Sequence, residues 1–155
     1  MIIIGYQGIG KSTLAGKHNC IDLESGNFWV DGKRAEDWYK PYCQIANHLS
    51  EQGYTVFTSS HEVVRKELEK SNEKVYVVCP SIELKEQWIA KLKNRYETTG
   101  LDKDFKALAN AEDRYEDNIN ELVFGNFVTY EIEDMDYQLI DIVNDIGGLF
   151  KWLKL

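Results

Sequence analysis

One stretch constrains this chain more than any other, its opening MIIIGYQGIGKSTLAG. Met1 to Ile4 form an apolar run without polar alternation, as expected of a strand buried on both faces. Gly5, Gly8 and Gly10 then put three residues without side chains into one loop, and Leu14 with Ala15 opens a helical pattern. From Gly5 to Ser12 the spacing is G-x-x-x-x-G-K-[ST], the phosphate-binding loop, in the strand–loop–helix setting that this motif requires.

The chemistry explains the spacing. A triphosphate must be wrapped by backbone N–H groups, and a Cβ at the glycine positions would block close approach or forbid positive φ. The following helix is expected to add free donors and the positive end of its dipole. The expected cradle is Gly5, Gly8, Ile9, Gly10, Lys11, Ser12 and Thr13. Lys11, taken to face solvent without ligand, would reach the β- and γ-phosphates, and the Ser12 hydroxyl would ligate Mg²⁺.

A length of 155 residues fits one domain, 1–155, with a substantial core. The balance of 18 basic against 26 acidic residues, −8 overall, argues against a general nucleic-acid or membrane-surface binder. Cys20, Cys43 and Cys79 are scattered, so neither a disulfide framework nor a zinc site is indicated. The apolar start is too short for a signal peptide, nothing approaches a membrane span, and the expected compartment is cytoplasmic.

Along the chain, IIIG, CIDL, YTVFT, KVYVVC and NFVTYEI read as strands, with helical patterns between them. This alternation is the signature of a mostly parallel sheet covered on both faces. The helical stripes are Trp38, Tyr42, Ile45, Ala46 and Leu49, then Trp88, Ile89, Leu92 and Tyr96, then Phe105, Leu108, Ala109, Tyr115, Ile119 and Leu122. Ligands of such sheets sit beyond the carboxyl ends of the strands. Asp22 ends the second strand, where a carboxylate can take the proton of an acceptor hydroxyl, hold a Mg²⁺-bound water, or simply cap a turn with Glu24 and Ser25. Phe28 and Trp29 are either core or a surface for a nucleobase. After the third strand, Ser59 and Glu62 have capping-box spacing. His61 there reads as structural, and Arg65 is either an anion clamp or a solvated arginine. Lys91 and Arg95 stand at i,i+4, a repulsive spacing unless an anion lies between them or the face is simply solvated. No acidic residue ends the third strand and no N-K-x-D occurs, so a GTPase is a poor fit.

The order GYQGIGKST, a strand ending in aspartate, SSHEVVR after the third strand, and VVCP leading into KLKNR resembles the small P-loop kinases, the nucleotide, shikimate and gluconate kinase group. The resemblance implies a three-layer α/β fold whose central parallel sheet has five strands in the order 2-3-1-4-5. It implies ATP with Mg²⁺ as donor and an acceptor pocket near Asp22 and Arg65. It also implies a small mobile lid around residues 91–105 from which Lys91 and Arg95 close over the phosphates. Lys91 stands where that group usually has arginine, and the glycine pair of shikimate kinases after the third strand is missing, which argues against shikimate. The compact size is similar in style to the nucleotide kinases of bacteriophages. The expectation is an ATP-dependent kinase for a small acceptor, a nucleoside or nucleoside monophosphate, with no membrane partner. A long nucleic acid is disfavoured by the charge balance. The rivals are a 5′-hydroxyl polynucleotide kinase and a nucleotide-binding regulatory module without turnover.

Overall fold

Ile2, Ile3 and Ile4 are all 0% exposed. Successive side chains of a strand point to opposite faces, so both faces of this strand are covered. Each such side chain contributes about 1.5–3 kcal/mol of burial, which makes the opening strand the anchor of the core. The computed structural model describes residues 1–153, with side chains for residues 1–148.

In chain order the elements are β1 (Ile2–Gly5), α1 (Lys11–Leu14), β2 (Cys20–Asp22), β3 (Trp29–Val30), β4 (Lys33–Arg34), α2 (Tyr39–Glu51), β5 (Thr55–Thr58), α3 (Glu62–Leu68), β6 (Val75–Pro80), α4 (Lys85–Thr99), α5 (Asp102–Val123), β7 (Val128–Ile132) and α6 (Leu139–Leu153). Short 3₁₀ turns at Ser25–Phe28 and Ile82–Leu84 precede β3 and α4. The protein is α/β, and the five strand-like segments of the sequence form one sheet in which every pairing is parallel. β1 lies at its centre, with Ile3 opposite both Phe57 of β5 and Tyr76 of β6.

Numbered over all seven strands the sheet order reads β2-β5-β1-β6-β7, where an expectation of five strands gives 2-3-1-4-5. The difference comes from β3 and β4, an antiparallel hairpin outside the sheet that the sequence reading left out. Its turn is Asp31-Gly32, both with positive φ (51° and 76°), which is the Asp-Gly signal of a tight two-residue hairpin.

The second correction concerns α1. It lasts a single turn, because Gly16, His18 and Asn19 all take positive φ and bring the chain back into β2 at Cys20. A macrodipole is the sum of aligned peptides. One turn supplies free amides but little of the field expected of a full helix.

Elsewhere the stripes hold in part. In α2 the buried face is Tyr42, Cys43, Ala46 and Ser50, while Ile45 is exposed. Trp88 and Leu92 are buried in α4, and Ala111, Tyr115, Ile119 and Leu122 in α5, where Phe105 and Ala109 instead face outward. Residues 91–105, the expected lid, are the end of α4, the Gly100 turn and the start of α5, two helices packed against each other.

Candidate functional site

The loop between β1 and α1 is held by backbone-directed contacts on its outer side. Trp88 of α4 donates its indole N–H to the Gln7 carbonyl at 2.9 Å. Tyr137 donates its hydroxyl to the Ile9 carbonyl at 2.7 Å. The two rings are stacked, with centroids 6.0 Å apart. Gly8, at φ 89°, is pressed against this support, and a Cβ there would lie 3.0 Å from Leu92 and 3.1 Å from the Trp88 indole nitrogen. Gly10 also has a strongly positive φ, 108°. The Ile9 side chain is buried in the core, so only its backbone belongs to the loop's inner surface. A cradle shaped this way fits a phosphate chain held by main-chain donors.

Lys11 does not face solvent as expected. It is half-buried, and its ammonium donates to the Gly5 carbonyl at 3.0 Å. Burial lowers its pKa below the ordinary lysine value; Asp22 and Glu24 act against that shift and Arg95 reinforces it. Lys11, Asp22, Glu24 and Arg95 are therefore within electrostatic reach of one another. Ser12 and Thr13 are exposed beside it.

Asp22 is half-buried at the carboxyl end of β2. Burial raises its pKa above the usual aspartate value; Lys11 opposes the rise, and the charge of Glu24 and a hydrogen bond with that carboxyl add to it. Tyr42 fixes the neighbourhood by donating to the Leu23 carbonyl at 2.6 Å and accepting from the Ser59 amide at 2.9 Å. One phenol thus ties the end of β2 to the end of β5. Among the described residues no group of three His, Cys, Asp or Glu side chains could hold a metal ion. Mg²⁺ makes no such demand, since it is commonly held by one hydroxyl or carboxylate with substrate phosphates and water. Ser12, Asp22 and Glu24 fit that donor set.

Beyond the loop opens a cavity of about 1080 Å³, at the top of the usual range for small-molecule sites. Gly5, Gln7 and Lys11 line one side; Ser25, Trp29 and Arg34 line another; Ser59 to Glu62, Arg65 and the inner face of α5 complete it. The basic side chains on its surface are Lys11, Arg34, Arg65, Lys103, Lys106 and Arg114, against Glu24, Glu62, Asp102 and Glu121. A positive cavity in a chain of charge −8 is a local construction.

Arg65 belongs to this cavity, bonded to the Ser60 carbonyl and to Glu121 at 3.1 Å each. Lys91 and Arg95 do not line it. Lys91 donates to the Tyr137 hydroxyl at 3.0 Å and lies 4.4 Å from the centre of the Trp88 ring, behind the loop. Arg95 lies 2.7 Å from the carboxylate of Asp104, which is 2% exposed and also receives the Thr99 hydroxyl. The i,i+4 repulsion is thus relieved by protein partners on both sides.

Arg34, Lys103, Lys106 and Arg114 were not identified from the sequence. Arg34 had a legible signal, the Asp-Gly turn that pairs it with Trp29. Arg114 had none, because it enters through a kink in α5 (φ −134°, ψ 21°) in a segment without glycine or proline. The aromatic pair divides. Phe28 packs on Trp38 and Tyr42, whereas Trp29 is 44% exposed and lines the cavity. The capping box is not formed, since His61 is the N-cap of α3 and Ser59 meets the His61 ring at 2.8 Å instead. That ring packs on Trp38 and is pushed down to about 4, by burial first and then by Arg34 and Lys11, so it is neutral at neutral pH. No helix among the described residues is long and apolar enough to cross a membrane.

No protein-family model matches this sequence, and no curated protein matches it.

Proposed function

We propose that this chain is an ATP-dependent phosphotransferase of the small P-loop kinase type, acting on a small acceptor, a nucleoside or nucleoside monophosphate. The observation that carries the reading is a glycine loop whose Lys11 lines a basic cavity in an acidic protein, with Asp22 within electrostatic reach of that lysine. Counted over its own five strands, the parallel sheet also runs second, third, first, fourth, fifth, which supports the three-layer P-loop arrangement. A cytoplasmic setting goes with three free, buried cysteines and a need for ATP.

ATP with Mg²⁺ would supply the phosphoryl group. Main-chain donors of the Gly5–Thr13 loop would bind its phosphates, Lys11 would leave the Gly5 carbonyl to neutralise charge on them, and Ser12 would hold the metal. Asp22, with its raised pKa, would take the proton of the acceptor hydroxyl or help hold the metal through water. Tyr42 keeps that carboxylate in register with the end of β5. Lys91 supports the loop through Tyr137, and Arg95 reaches the phosphates only by leaving Asp104. The basic wall supports one rival, a 5′-hydroxyl polynucleotide end as acceptor.

The test is to offer labelled ATP·Mg²⁺ with nucleosides, nucleoside monophosphates and a 5′-hydroxyl oligonucleotide. Label on a mononucleoside acceptor, with matching ADP release, is the expected result. Label on the oligonucleotide alone supports the rival, and ATP binding without transfer to any acceptor leaves a regulatory module.

A further inference from the structure

The two edges of the sheet are finished differently. At one edge lies β2, and the chain closes it over itself. The Cys20 amide donates to the Lys17 carbonyl at 2.8 Å, and the Cys20 carbonyl accepts from the Gly16 amide at 3.0 Å. At the other edge lies β7, and no described strand pairs with its outer side. The Ser81 amide donates to the Ile132 carbonyl at 2.8 Å, so Ile132 turns its main-chain groups towards β6. These groups alternate in direction along a strand of a parallel ladder. Those of Val128 and Tyr130 therefore also face β6, and those of Thr129 and Glu131 point outward. Among the described residues nothing bonds these outward amides and carbonyls.

The side chains at this edge are apolar and uncovered. Val128 is 71% exposed and Tyr130 38%, and Phe124, in the turn leading into the strand, is 83% exposed. An open edge is a template for another strand, and proteins normally blunt it with charge, proline or a bulge. β7 carries one charge, Glu131, no proline, and an unbroken register with β6.

This edge is complementary to itself. About a two-fold axis at Tyr130, an antiparallel second copy sets its Glu131 opposite Thr129. Both members of that pair point their main-chain groups at each other, so every open group of Thr129 and Glu131 finds a partner. Side chains directly opposite share a face, which pairs Tyr130 with Tyr130, Val128 with Ile132 and Thr129 with Glu131. No like charges oppose one another. Moving the axis to Glu131 would set two carboxylates opposite each other, and moving it to Thr129 would pair Glu131 with Phe127, outside the strand.

We propose that this chain associates with a second copy of itself through β7, joining two five-stranded sheets into one across a two-fold axis at Tyr130. The proposal is independent of the phosphotransferase reading, since no residue of β7 lines the cavity. The net charge of −8 on each copy opposes the association, so the dimer strengthens as salt screens that repulsion.

The experiment is sedimentation velocity of the full chain from dilute to near-millimolar concentration, at low and moderate salt, with amide hydrogen exchange followed residue by residue. The wild type is expected to pass from monomer to dimer. As it does, the amides of Thr129 and Glu131 should slow by about ten-fold or more, while those of Val128 and Tyr130, already bonded to β6, stay unchanged. Glu131→Pro removes an outward amide and none of the β6–β7 ladder, so the fold is kept and the dimer is lost. Tyr130→Lys sets two ammonium groups opposite each other on the axis in place of an aromatic pair, and should raise the dimer dissociation constant by about ten-fold. A thermal scan of both variants checks that each still melts cooperatively, and if Glu131→Pro does not, Tyr130→Lys decides. A wild type that stays monomeric throughout overturns the proposal. So does a dimer that the folded variants leave unweakened, or one in which the Thr129 and Glu131 amides exchange as they do in the monomer.

Discussion

The two sides of the cavity are built in opposite ways. On the loop side the working surface is backbone, set by β1 and braced from behind by Trp88 and Tyr137 on loop carbonyls. On the hairpin side it is made of long side chains from β4, α3 and α5, which constrain one another through Ser25, His61 and Glu121. A backbone surface is fixed by local conformation and tolerates little change of residue. A surface of side chains is fixed by tertiary neighbours, and each member can be exchanged while the fold persists. On the proposed function the two sides have different duties, a phosphate grip on the loop side and choice of acceptor on the other.

The largest effect is expected at Asp22, at the end of β2 within electrostatic reach of Lys11 on the loop side. Asp22→Asn should lower kcat by about 10²- to 10⁴-fold with ATP affinity little changed, the usual scale of general-base assistance. Its raised pKa fixes the sign of the pH dependence. The base must be ionised, so the wild-type rate falls as pH drops through a value above the ordinary aspartate range, and that acid limb should vanish in the variant. Folding also favours the protonated carboxyl, which means that its ionised form costs stability at neutral pH. The melting temperature of Asp22→Asn is therefore expected to hold or rise while the rate collapses. A rate near wild type would reduce Asp22 to a turn cap and remove the proposed base beside the loop.

A smaller effect separates the sides directly. Gly8→Ala places a Cβ against Leu92 and Trp88 at a positive φ, and should cost about 2 kcal/mol, or roughly 4–8 °C in melting temperature. Gly32→Ala in the hairpin turn meets no atom within 4 Å, so only the strain of positive φ remains, about 1 kcal/mol. Equal losses at the two positions, measured by thermal unfolding, would mean that the loop is no more tightly braced than the hairpin.

This asymmetry also governs what the sequence discloses. The loop is local, with Gly5, Gly8, Gly10, Lys11 and Ser12 inside eight consecutive residues, and the five strands that carry the sheet are apolar runs whose period can be read directly. The hairpin wall is not local. Arg34, Arg65 and Arg114 are separated by helices and strands, and only the packing of α5 across the end of the sheet brings them to one cavity. Lys91 and Arg95 are legible as a cationic pair, but spacing on a helix cannot reveal that Tyr137 and Asp104 are their partners. Spacing likewise suggests a capping box at Ser59 and Glu62, whereas the hydroxyl of Ser59 is taken by the His61 ring.

The central claim is that the Gly5–Thr13 loop grips ATP through Lys11. Its most direct test is calorimetric titration of ATP·Mg²⁺ into the wild type and into Lys11→Met, alongside ADP release with the best small acceptor. The wild type should bind and turn over. The variant should lose about 10²- to 10³-fold or more in kcat, the scale of removing one donor to a developing charge, while it melts cooperatively as before. Unchanged ATP affinity and unchanged turnover in Lys11→Met would contradict the account.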